Sequence, residues 1–175
     1  MKKLFALGIM ICMFTAVGFS QSSATASAAA TILTPIAISK TVDMNFGNLA
    51  SSGTAGTCIL ATTSVQTATG GVTIMTGGTP TAASFTVTGA SGATYTIELP
   101  DEATTVSNGT DLMTIDTWNS NPGGPGPGGT GTLTGGTSTL LIGATLHVLA
   151  NQPGGVYNTS NAGGSGEFTV RVNYE

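Results

Sequence analysis

His147 is the one histidine in a chain of 175 residues. It alternates with Leu146 and Val148 in a strand-like run, and no cysteine or second histidine stands near it. Zinc needs several nitrogen or thiolate ligands, so His147 by itself marks no metal site. The carboxylates give two candidate pairs, Asp101 with Glu102 and Asp111 with Asp116. Glycosidic chemistry needs two carboxyl groups on opposite sides of a cleft. Neighbouring carboxylates in a loop after a strand read instead as a solvated turn. Oxygen ligands suit calcium, and Asp101, Glu102, Asn108 and Asp111 supply them in number. No Asp-x-Asp-x-Asp-Gly loop arranges them. The glycines between 123 and 131 match a phosphate loop only in composition, since no Gly-Lys-Ser/Thr follows and no strand-to-helix turn is in view. Gly163-Gly-Ser-Gly166 lies in a plain loop, not at a nucleophile elbow. Trp118 and Tyr157 are the aromatics open to sugar stacking, and Lys40 is the lysine open to an isopeptide link. None of these sets is complete. The expectation is a protein that is not an enzyme, with no catalytic, cofactor-binding or metal-binding residues and no cofactor.

The elements that would position these residues read as strands. Residues 167–174 alternate cleanly, with Phe168, Val170, Val172 and Tyr174 on one face and Thr169, Arg171 and Asn173 on the other. A period of two is what a half-buried strand requires. Residues 94–99 alternate likewise, Tyr95, Ile97 and Leu99 against Thr94, Thr96 and Glu98, and Pro100 ends the run. Residues 82–89, 112–118 and 140–149 read as further strands, and residues 57–63 and 72–75 as shorter ones. Residues 51–56 read as a loop and Thr69-Gly-Gly as a tight turn. Residues 31–42 are β-branched and apolar, but Pro35 cannot donate to a ladder, which fits an edge strand or a strand start. Residues 121–131 are almost all glycine and proline and offer little to bury, so disorder is the expected state. No helical period appears beyond the first residues. Short strands with Gly-rich turns between them predict an all-β, single antiparallel sandwich.

Composition narrows the function. Lys2 and Lys3 precede an apolar run over residues 4–19, and small residues follow, with cleavage expected near Ala28 to Ala30. That is the pattern of a signal peptide, so residues 1–30 are expected to leave and residues 31–175 to form the domain. No other stretch is long and apolar enough to span a bilayer. Cleavage removes two of the four basic residues and none of the eight acidic ones, leaving a net charge of −6. Nucleic acid needs a basic footprint, and this chain has none. Cys58 is the only thiol left after cleavage, so no internal disulfide is open to it. Its apolar neighbours read as a strand in which it is a small buried hydrophobe. A secreted protein of the periplasm or cell surface is expected.

Four stretches, taken together and in order, resemble a bacterial family classed as domain of unknown function 4402. They are Met44-Asn-Phe-Gly-Asn48, Ala83-Ser-Phe-Thr-Val-Thr-Gly89 with Tyr95-Thr-Ile97, Val148-Leu-Ala-Asn-Gln-Pro-Gly-Gly-Val-Tyr157, and Phe168-Thr-Val-Arg-Val-Asn-Tyr174. The C-terminus is also similar to pilins of chaperone–usher systems of the spore coat U or archaic type, with Gly155-Val-Tyr157 and the penultimate Tyr174 in the matching places. That similarity implies an immunoglobulin-like sandwich lacking one strand, completed by a neighbour's extension. It implies identical subunits or a periplasmic chaperone as partners, Ile32, Ile36 and Ile38 as the knobs of a donor strand, and Phe168, Val170, Val172 and Tyr174 as the acceptor groove. Here the usual N-terminal disulfide is missing, and residues 32–42 are too few for both a long donor and a full first strand. The function expected is a secreted, pilin-like structural subunit. The alternative is a monomeric binding module that recognises carbohydrate or a surface partner through its loops.

Overall fold

β-branched and aromatic residues alternating with Thr, Ser and Asn leave this chain little choice but extended structure. The computed structural model describes residues 21–175 and contains eleven strands and no helix among them. The basic and apolar parts of the expected signal peptide lie outside the described residues. Residues 21–32 are exposed and carry no regular structure, and residues 33–175 form a unit of their own.

The strands are β1 (Ala37–Val42), β2 (Leu49–Leu60), β3 (Gln66–Ile74), β4 (Ala83–Thr88), β5 (Thr94–Glu98), β6 (Thr104–Ser107), β7 (Leu112–Asn121), β8 (Gly124–Pro125), β9 (Gly129–Thr132), β10 (Thr137–Val148) and β11 (Arg171–Tyr174). Eight of them form one antiparallel sheet around β10. Along one side of β10, Thr137 to Ile142 pair with β4, and Ala144 to Val148 pair with β2. Along its other side runs β7. Gly143 sits where β4 gives way to β2, and a Cβ there would lie 2.3 Å from the carbonyl oxygen of Leu60. β1 extends the sheet beyond β4, and β3 extends it beyond β2. The second sheet has only three strands, in the order β11-β5-β9. The chain is therefore an all-β protein of two antiparallel sheets in a sandwich-like arrangement.

The period of two sorts the core. Leu140, Ile142, Ala144, Leu146 and Val148 of β10 are buried, as are Tyr95 and Ile97 of β5 and Val172 of β11. Cys58 is buried too, and burial pushes its thiol above the usual value, a hydrogen bond from Gln66 opposing it weakly.

Two expectations give way. Residues 121–131 are not a free loop: β8 pairs with β7, and β9 pairs with β5. Glycine is what permits this, because a Cβ on Gly131 would lie 2.4 Å from the Tyr95 ring. Residues 51–56 and Thr69-Gly-Gly are likewise not a loop and a turn. They face each other as the bulged middle of the β2–β3 ladder. Gly70 has φ of +63°, and a Cβ on Gly71 would approach the Thr54 carbonyl oxygen to 1.8 Å. Glycine in a strand marks close backbone approach as well as turns.

Candidate functional site

The small sheet cannot cover the whole inner face of the large one. Where its cover ends, a cleft of about 970 Å³ opens. Its floor is the apolar face of the large sheet, with Phe85 of β4, Val106 of β6, Ile115 of β7, and Leu146 and Val148 of β10. Met44, Phe46 and Leu49 line one side, in the segment between β1 and β2 and at the start of β2. Residues 167–170 line the other. The terminal alternating run is thus divided in two. Arg171 to Tyr174 pair with β5, whereas residues 167–170 have no ladder partner among the described residues. Unpaired extended backbone beside an apolar floor is an unfinished sheet edge.

The cleft's rim is fixed by polar contacts. Lys40 Nζ lies 2.6 Å from Asp43 Oδ1 and 3.5 Å from Glu167 Oε1, so it joins the end of β1 to the terminal run. At the opposite end of that run, Tyr174 Oη donates to the Thr34 carbonyl oxygen and accepts from the Ala90 amide, each at 2.6 Å. β1 and the terminal run therefore lie side by side in opposite directions, pinned at both ends, with no backbone ladder between them among the described residues. The Asn-Gln-Pro-Gly-Gly-Val-Tyr stretch closes the remaining side. Asn108 Nδ2 and Gln152 Nε2 both donate to Tyr157 Oη, which donates to the Pro153 carbonyl. Ser51 Oγ reaches the Gln152 carbonyl at 2.8 Å and ties this loop to β2.

Each residue singled out in the sequence has a definite place. Ile38 lies in β1 and Ile36 just before it, and both pack partly buried against the chain's own core. They are already used within their own sandwich, because β1 pairs with β4 from Ala37 onward. Ile32 is 96% exposed and Leu33 is 55% exposed. Of the four groove residues, Phe168 and Val170 line the cleft. Val172 is buried in β11, and Tyr174 is the pin at Thr34. Sequence reasoning missed the floor, which comes from four strands, β4, β6, β7 and β10, that only the sheet order brings together. Residues 152–157 carry the family likeness but give no sign in the sequence that they border an opening, and residues 158–160, which border it too, carry no signal at all.

The candidate chemical groups stay apart or stay occupied. Trp118 is buried and stacks on Phe168, ring centres 4.7 Å apart, so its indole is a core side chain and not a surface platform. Its N–H finds no acceptor among the described residues. Asn108 Oδ1 accepts from the amides of Thr110 and Asp111 in a tight turn, while Asp101 and Glu102 border a separate hollow beside Arg171. Among the described residues no three Asp, Glu, His or Cys side chains gather as metal ligands. His147 Nε2 lies 2.8 Å from Asp116 Oδ1 on the outer face of the large sheet. No helix among the described residues is long and apolar enough to cross a membrane.

A sandwich with one unfinished edge, whose opening is bordered by the Asn-Gln-Pro-Gly-Gly-Val-Tyr loop and the terminal alternating run, defines the class. The chain belongs to the family described as a domain of unknown function (DUF4402), which it matches over residues 36–174. No curated protein and no solved structure matches it.

Proposed function

We propose that this protein is an exported structural subunit of the bacterial cell surface, pilin-like, that assembles by taking a β-strand into its cleft. One observation carries the reading: an apolar opening of about 970 Å³ is bordered by residues 167–170, whose backbone has no ladder partner among the described residues. A strand is the occupant that supplies both missing things, backbone hydrogen bonds along the edge and alternate side chains for the floor. The donor is the short segment ahead of β1 in a second copy, with Ile32, 96% exposed, as its side chain for the floor and Leu33 on the opposite face. Ile36 and Ile38 stay with their own core. A periplasmic chaperone would hold the same edge before assembly.

The test is size by light scattering on the exported chain, with Ile32→Glu/Leu33→Glu as the donor-dead form. A ladder of oligomers that collapses in the variant to folded species no larger than a dimer is the expected result. A folded monomer for both chains overturns strand donation, and the function then passes to the monomeric binding module.

A further inference from the structure

We infer that the outer edge of β3 is a second assembly surface, at which two copies of this chain pair edge to edge about a two-fold axis. This goes beyond strand donation and rests on a different part of the molecule.

Outside the cleft, the other strand edges among the described residues are short or guarded. The edge of β1 follows Pro35 and carries Lys40, which is paired with Asp43 and Glu167. The edge of β6 is covered by the returning chain, through Ser107 with Asn158 and Thr105 with Ser165. β9 has four residues and β8 two. β3 has nine residues, and its only ladder partner among the described residues is β2. It contains no proline and no charged residue. The bulge at Gly70 and Gly71 divides it into two runs, 66–69 and 72–74; each is an uncharged stretch of edge without a bulky side-chain guard, a template for another strand.

Charge decides the occupant. No Asp, Glu, Lys or Arg lies between Asp43 and Glu98, a stretch that holds all of β2, β3 and β4. A chain in which acidic residues outnumber basic ones eight to four repels its own copies through most of its surface. Along β3 that repulsion has no local source. Exposed apolar side chains stand at the two ends of the same edge: Val65 ahead of β3, and Ile74 and Met75 at its end. The surface suits a partner that is itself neutral, extended and apolar at its border, and a second β3 has those properties. Antiparallel pairing of one edge with itself is isologous and closes at two copies.

The test uses the exported chain in the donor-dead Ile32→Glu/Leu33→Glu background, so that strand donation cannot supply the association. Sedimentation equilibrium should show a reversible monomer–dimer mixture. Hydrogen exchange should slow at β3 amides as concentration rises. Thr67→Lys/Thr69→Lys places like charges across the two-fold and should weaken dimerisation about tenfold or more, with far-UV circular dichroism unchanged. Val65→Lys, in the turn ahead of β3, is the second variant if the first folds poorly. A chain that stays monomeric, or a dimer unchanged by folded lysine variants, overturns the inference.

Discussion

The two halves of this sandwich are written in the same alternating code and finish differently. In the closed half, Tyr95 and Ile97 of β5 are buried beneath the large sheet's partner strands, and Tyr95 Oη donates to Ser138 Oγ at 2.9 Å. In the open half, Phe168 continues the same terminal run but is only partly buried, and the backbone around it pairs with nothing described. The divide comes at Arg171, where β11 meets Glu98, the last residue of β5. β5 is too short to pair with the whole run, so the run's first half has sheet conformation without a sheet. Alternation in a sequence reports what a strand is ready to bury, and it does not report whether a partner is there.

That contrast can be broken by mutation. The largest effect is expected from Tyr95→Ala, which removes a fully buried ring from the closed half. A loss of about 3–5 kcal/mol is expected for truncating a buried aromatic, read as a lower denaturation midpoint for the whole domain. Phe168→Ala in the open half should lose less, about 1–2 kcal/mol, from partial burial and the Trp118 contact. It should also speed hydrogen exchange at residues 167–170 and redden Trp118 emission while the closed half keeps its protection. Equal losses for the two variants would mean that the halves are not energetically distinct.

The smallest effect lies outside both halves and serves as the reference. Asp116 feels partial burial, which pushes its carboxyl up, but hydrogen bonds from His147 and Thr117 and the charge of His147 outweigh it and hold it below the ordinary carboxylate value. A group lowered on folding contributes stability above its unfolded value and loses it as pH falls through the folded one. Both side chains are about two-fifths exposed, so solvent screening keeps the contribution under about 1 kcal/mol. The stability difference between the parent and Asp116→Asn should be full above the ordinary carboxylate value of about 4 and shrink as pH falls below it. A difference that grows on acidification would reverse the sign assigned to Asp116.

Much of the fold was legible because inward and outward residues differ in kind. Phe85 and Val87, Tyr95 and Ile97, and Leu146 and Val148 each mark a face, and all six are buried. Glycine was the poor guide. Gly70, Gly71 and Gly131 read as turn or linker, yet each lets backbone or a ring approach closely inside a ladder. β6 went unseen because Thr104 to Ser107 is too short to show a period. For the site, the terminal run named Phe168 and Val170. The floor was hidden, since Phe85, Val106, Ile115 and Leu146 meet only through the order of strands, which alternation does not encode.

Cys58 has a consequence for timing. The thiolate is the form that reacts, and in the folded chain the sulfur is buried and held in its protonated form. Before folding, the same sulfur is open to any oxidant, and the sequence holds one other cysteine, Cys12, within the segment expected to leave on export. On the reading that the chain is exported to an oxidising compartment, any protein disulfide from Cys58 therefore joins two chains. Folding and oxidation run as a race there, and β2 has to reach its place beside β10 before the thiol meets another chain.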